Sequence, residues 1–330
     1  MTKLENKTEA KTQPKTAISG GIDLDKILNS AKEAFSKNEK GLAMQMSTGS
    51  HITKPVLDSD YVLYPGEHWK QLTGIKGLPF GKITEIAGKP DSGKSSHAMA
   101  FMKEAQDRGY VVILWDAENK FSPDRFNNYF KGNSDALLIT TSKVILEGAD
   151  QVAAMIKGTF KNYPDAKILV SWDSVAGSLS SSENIKNLRE SRQMAQSAKE
   201  IGMALHNFVH LMEEFKNRET NEEKIAFLLI NQVYANVGSV GYKEAGGSKL
   251  EYYSSLILQL TRKGDLLFTR EGQKRKKGIL TRAKVRKNHL FDGEDCISEL
   301  DLEVTAGGIK SASKKLKEAD GAWEEEDSDE

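Results

Sequence analysis

The chain has 330 residues, 38% of them hydrophobic and 28% charged, with 47 basic residues balancing 47 acidic ones. That composition suits a folded chain of one large domain or two ordinary ones, and with no run of eighteen apolar residues it argues against a membrane protein. The single cysteine, Cys296, excludes an internal disulfide and a cysteine-built zinc site, and the polar start lacks the apolar block of a signal peptide, so a cytoplasmic protein is expected.

Residues 1–20 are polar and too poor in apolar side chains to offset the entropy of ordering, so they are expected to be disordered. Ile22 to Phe35 carries apolar residues at helical spacing and predicts an amphipathic helix within a segment spanning 21–45, which needs a surface to cover. From about Gly74 onward, within a core segment taken as 46–310, short apolar runs alternate with helical ones, the pattern of an α/β sheet with crossover helices. Strands are predicted at Lys82 to Ala87, Tyr110 to Trp115, Ala136 to Thr140, Lys167 to Trp172, Ile225 to Ile230 and Ser254 to Leu260. The first four are continuously apolar, as strands buried on both faces are. Helices are predicted at Ser95 to Arg108, Ala149 to Lys161 and Arg192 to Lys216. Residues 311–330 read as a disordered tail, Lys-rich and then acidic.

The zero net charge hides a segregation. Between Arg262 and Lys287 eleven basic residues face two acidic ones, whereas the last thirteen residues hold eight acids and no base. A basic block beside an acidic tail is common in chains that bind polyanions, and is equally what a solvated hairpin with a solubilising tail would show.

Gly88-Lys89-Pro90-Asp91-Ser92-Gly93-Lys94-Ser95 fits G-x-x-x-x-G-K-[ST], with a predicted strand before it and a helix after it that opens on Ser95-Ser96. Glycines let the backbone curl so that its N–H groups point at phosphate oxygens, and the helix N-terminus adds partial positive charge. Lys94 is expected at the β- and γ-phosphates and Ser95 on Mg²⁺. A second metal-side group, Asp173, ends the apolar run from Lys167. The preceding strand ends in Asp116-Ala117-Glu118, where a carboxylate polarises an attacking water or caps a turn. His206 and His210 sit four apart on a helix, but no third ligand accompanies them, so no metal site is expected there.

From about Met46 to Ile309 the chain resembles the RecA-type recombinases, especially the shorter phage versions. The resemblance is carried by Ser47-Thr48-Gly49-Ser50, the run Gly77 to Ile86, the phosphate loop, Asp116-Ala117-Glu118, Asp173-Ser174-Val175-Ala176, Ile230-Asn231-Gln232-Val233, Gly246-Gly247 through Tyr252-Tyr253-Ser254-Ser255, and Lys284-Val285-Arg286-Lys287-Asn288. It implies a RecA-like ATPase core that forms a nucleotide-gated, head-to-tail filament on single-stranded DNA, pairs it with homologous duplex and hydrolyses ATP with Mg²⁺ in a bacterial or phage-infected cytoplasm. Single-strand-binding and loader proteins are further partners it implies.

By the same resemblance Glu118 is the catalytic glutamate, Gln232 senses the γ-phosphate, Lys287 reaches the neighbouring subunit's nucleotide, and the Ile22 to Phe35 helix docks on that neighbour. Tyr234 to Ser248 is implied as a mobile DNA-binding loop bearing Tyr234, Tyr242, Lys243 and, beside it, Lys249; Ser178 to Arg192 is a second, with Lys186, Arg189 and Arg192. Lys274 to Lys277 are placed at a hairpin tip, to contact DNA or solvent. The chain departs from the family in three places. His289 stands where a second cation is kept, a side chain whose charge changes near neutral pH. Arg125 replaces the aromatic that stacks on adenine and Ser122 the acid that reads its amino group, although a guanidinium can itself stack on a base. Only about twenty residues follow Ile309, so the family's C-terminal lobe is expected to be missing. A hexameric ring motor on the same fold, and a weakly hydrolysing ATP- and DNA-binding mediator or scaffold, are the alternatives.

Overall fold

The structure, a computed structural model, describes residues 17–18, 22–23, 57–181, 190–235, 242–244, 247–271, 273–291, 296–313, 316–319 and 322–325. It divides into two units, Met1–Lys54 and Pro55–Glu330. In the first, β1 (Ala17–Ile18) pairs antiparallel with β2 (Ile22–Asp23). Ile22 and Asp23 are therefore extended where the amphipathic helix was expected to start, and the rest of that helix lies outside the described residues.

The second unit opens with β3 (Tyr61–Leu63), helix α1 (Glu67–Thr73) and β4 (Gly77–Pro79), which pairs back on β3. Then come β5 (Ile83–Gly88), α2 (Lys94–Asp107), β6 (Val111–Asp116), α3 (Pro123–Asn128), β7 (Leu137–Thr140), α4 (Ile145–Asn162), β8 (Ile168–Asp173), α5 (Glu190–Phe215), β9 (Ile225–Ala235), β10 (Tyr242–Glu244) and α6 (Gly247–Tyr253). Long strands β11 (Leu256–Arg270) and β12 (Gln273–Asn288) form a hairpin, followed by β13 (Glu299–Thr305), β14 (Gly308–Ser311), β15 (Leu316–Ala319) and β16 (Ala322–Glu325).

One sheet holds these together in the order β14-β13-β12-β11-β5-β9-β8-β6-β7. From β11 to β7 every neighbouring pair is parallel; from β11 outward through β14 the pairing is antiparallel. The α/β fold with a mainly parallel sheet and flanking helices is the one expected.

Side-chain alternation along the strands splits the apolar residues into two layers. Val112 and Leu114 join Phe101 and Met102 of α2 on one face, whereas Ile113 and Trp115 join Val152 and Ile156 of α4 and Phe208 of α5 on the other. Trp115 and Trp172, opposite each other in register, stack with ring centroids 4.0 Å apart. Gly148 of α4 is required beneath them, since a Cβ there would lie 2.1 Å from the Trp115 ring.

Two expectations are corrected. Leu137–Thr140 is not buried on both faces: among the described residues β7 is the last strand of the sheet, with Leu138 and Ile139 exposed. The tail is not wholly irregular either, because β15 and β16 form a hairpin whose second strand runs parallel to Asp265–Leu267 of β11. Among the described residues no helix is long and apolar enough to cross a membrane.

Candidate nucleotide and nucleic-acid site

Parallel strands deliver their C-terminal ends to one edge of the sheet, and the register fixes what meets there. Gly88 ends β5 opposite Gln232 of β9 and Leu260 of β11, while Asp173 of β8 lies opposite Ile230 of β9 and Asp116 of β6. Residues distant in sequence thus become neighbours through strand pairing alone.

The phosphate loop bridges β5 and α2. Gly88 must lack a side chain, because a Cβ there would lie 2.5 Å from both the Leu260 carbonyl oxygen and Ser92 Oγ. Gly93, at φ 94°, turns the chain through the left-handed region into α2. Lys94 is buried, its Nζ donating to the carbonyls of Gly88 (2.9 Å) and Lys89 (2.7 Å). Burial lowers the Lys94 pKa, opposed by the carboxylates of Asp173, Glu118 and Asp91. Ser92 Oγ is buried without a hydrogen-bond partner, a polar atom that a phosphate oxygen would satisfy.

Ser95 hydrogen-bonds to Asp173, whose carboxyl is pushed up to about 6, chiefly by burial, with the Glu118 and Asp116 charges adding to it. A hydroxyl bonded to a strained carboxylate is a donor set suited to a hard divalent cation, whose charge would relieve that strain. Asp116 itself is a turn cap, accepting from the backbone N–H groups of Lys120 (3.0 Å) and Phe121 (2.8 Å).

Glu118 is the focus of the site. Its Oε1 accepts from Gln232 Nε2 at 2.6 Å and from the Ser174 hydroxyl, and its Oε2 accepts from Lys120 Nζ at 2.5 Å. Burial alone would raise its pKa, but the bonds from Lys120, Ser174 and Gln232 outweigh it and hold the carboxyl below its ordinary range. A triply held carboxylate suits a group that orients water. Ser174 and Lys120 were not singled out from sequence; their only signal was adjacency to Asp173 and Glu118.

Alongside the loop lies an open pocket of about 480 Å³, reaching from Asp91–Ser96 past Arg125, Tyr129 and Phe130 to Arg262 and Lys276. Arg125 Nη2 donates to Ser96 Oγ at 2.7 Å, and Ser122, as N-cap of α3, accepts from the Arg125 N–H. Lys276 and Arg262 both pair with Asp265. Lys274 to Lys277 follow the β11–β12 turn directly, at the hairpin tip as expected, and Lys276 also lines this pocket.

Lys287 lies apart from the loop. It sits in register with Ile257 near the start of β11, level with Glu85 of β5, with Nζ donating to the Glu251 carbonyl at 2.6 Å. Of the residues read as DNA-binding, Lys186 and Arg189 lie outside the described residues. Arg192 is in the first turn of α5, Tyr234 is in β9, and Lys249 is exposed on α6. Tyr242 and Lys243 lie in β10, opposite Ala235 and Tyr234. The stretch Tyr234 to Ser248, read as one loop, thus begins and continues in strand pairing before α6 starts at Gly247.

Sheet order and loop together define a phosphate-loop α/β core whose nucleotide edge is built from β5, β6, β8 and β9. Residues 13–305 match the family described as the RecA N-terminal domain, and the chain belongs to the RecA family. Similar proteins include Protein RecA of Ureaplasma parvum, 34% identical over 226 residues, covering 68% of this chain and 62% of that protein. Protein RecA of Aquifex pyrophilus is 28% identical over 268 residues (76% and 69%), and that of Chlorobium chlorochromatii 28% over 326 residues (91% and 84%). The chain thus spans less than two thirds of the Ureaplasma protein's length.

Proposed function

We propose that this chain is a DNA-dependent ATPase of homologous recombination, which assembles head to tail on single-stranded DNA, pairs it with homologous duplex and exchanges strands. The observation that carries the reading is the 2.6 Å bond from Gln232 to Glu118. It joins the carboxylate at the phosphate edge to the strand that runs on into Tyr234 and the segment paired with β10. A change at the terminal phosphate is thereby felt where the strand leaves the sheet, which is how a nucleotide would gate a grip on DNA.

The residues divide the work. Gly88, Lys89, Pro90, Asp91, Ser92 and Gly93 cradle the phosphates through backbone N–H groups, Lys94 neutralises them, and Ser96 with Arg125 borders the nucleoside. Ser95 and Asp173 would hold Mg²⁺, which when bound supplies charge neutralisation at the phosphate oxygens. Glu118 orients and polarises the attacking water through its held carboxylate. Lys287 would serve a neighbour's site, a reading supported by its separation from its own loop, and the exposed edge of β7 would offer backbone groups and the side chains of Leu138 and Ile139 to a second copy. The exposed Lys249, with Arg192, Tyr234, Tyr242 and Lys243, supplies the cationic and aromatic groups for a single strand.

Hydrolysis of ATP measured with and without single-stranded DNA, beside electron microscopy, tests this. Stimulated hydrolysis with helical filaments is expected, abolished by Lys94→Ala. Closed rings, or DNA affinity indifferent to nucleotide, would refute it.

A further inference from the structure

Glu85 lies in the middle of β5 with no exposed surface. A carboxyl group there is costly unless it is bonded, and only half of it is. Its Oε1 accepts from Asn231 Nδ2 at 2.9 Å, while Oε2 is buried without a hydrogen-bond partner. Asn231 is engaged in turn at its own Oδ1, which accepts from the Gln232 N–H at 2.9 Å. Gln232 then bonds to Glu118. Three hydrogen bonds and the Gln232 residue therefore link the buried carboxyl to the carboxylate proposed to orient water.

On its other flank Glu85 neighbours β11 and, beyond it, β12. Glu85 is in register with Ile257, and Ile257 with Lys287, so the three point to one face in a single row across neighbouring strands. That face is covered by α6, whose Leu250 packs with Ile83 and Leu229 and whose Glu251 carbonyl accepts from Lys287 Nζ. The charges acting on Glu85 are Arg286 and Lys287 of β12 and Glu251 of α6; burial outweighs them and pushes the carboxyl up to about 7.

We propose that Glu85 is a positioning residue that ties the phosphate sensor Gln232 of one subunit to Lys287, the cation the same subunit offers to its neighbour. This rests on the function proposed above. Movement of Gln232 toward a terminal phosphate pulls on Asn231, changes how Glu85 is held, and alters the field around Lys287. Successive sites in an assembly are coupled through the interior of each subunit as well as across its surface.

The test uses the full chain with Glu85→Gln, which keeps an acceptor for Asn231 but no charge, and Glu85→Leu, which removes the acceptor. Binding of a fluorescent ATP analogue, thermal stability, and kcat and KM of DNA-stimulated hydrolysis are measured from pH 6 to 8.5. The wild-type kcat is expected to show an inflection near pH 7 that Glu85→Gln lacks, with nucleotide affinity kept within about threefold. Glu85→Leu is expected to lower kcat by about tenfold or more at nearly constant KM. An unchanged inflection in Glu85→Gln, or parallel losses of nucleotide affinity and thermal stability with kcat intact, would overturn the proposal. A wild-type chain that bound no triphosphate would instead remove the underlying function, and this inference with it.

Discussion

Replacing Gln232 by alanine removes one of the three donors on Glu118 while leaving those from Ser174 and Lys120 in place. A hydrogen bond to a charged group contributes roughly 1.5–3 kcal/mol. The Glu118 side chain is 15% accessible, so water can restore part of the loss, and the lower end of that range applies. About 1.4 kcal/mol corresponds to a factor of ten in an equilibrium constant. The ratio of single-strand affinities with a non-hydrolysable ATP analogue and with ADP should therefore fall by about tenfold in the variant, with affinity for the analogue itself little changed. Fluorescence anisotropy of a labelled oligonucleotide, titrated in both nucleotides, measures that ratio. A Gln232→Ala protein that keeps the wild-type ratio would show that the sensor bond does not transmit the nucleotide's state.

Other outcomes follow from the same geometry. A Cβ at Gly177 would lie 2.4 Å from Glu118 Cγ, so Gly177→Ala should displace that side chain and cut hydrolysis by about tenfold or more while nucleotide binding survives; equal losses in both would contradict this. Because Asp173 is buried and bonded to Ser95 as the proposed Mg²⁺ donor set, Asp173→Asn should lose the extra thermal stabilisation that Mg²⁺ gives to nucleotide-bound wild type, as read by a thermal shift with and without the metal. Burial depresses His68 to about 3, with His97 adding to the effect, and depresses His97 to about 4. The unfolded chain therefore binds protons that the folded one refuses. The stability these histidines contribute is complete well above pH 6.5 and lost as pH falls toward 3, by about 3 kcal/mol between pH 6.5 and 5 for the pair. Urea midpoints across that range should fall steeply in wild type and less so in a His68→Gln, His97→Gln variant.

The sequence made the core strands legible because burial on both faces leaves continuous apolar runs, and α2, α4 and α5 because their apolar residues recur at helical spacing. It failed at β7 for the same reason: Leu137, Leu138 and Ile139 are apolar in an edge strand as they would be in a central one, and composition does not record which side a neighbour occupies. The phosphate loop was readable since it is local. The bonds among Glu118, Ser174 and Gln232 were not, because strand order alone brings β6, β8 and β9 together, and periodicity carries no strand order. Glu85 was passed over within a strand read as buried on both faces, and only the pairing of β5 with β9, which brings the Asn231 amide to it, shows what it holds.

The bare flank of β7 has a consequence for how this protein must be handled. In the head-to-tail assembly proposed above, the terminal copy always keeps such a flank uncovered, so the assembly's size is set by dilution and by whatever terminates growth. A short synthetic strand complementary to Leu137–Thr140 would act as a stopper, yielding oligomers of controlled length from otherwise polydisperse material.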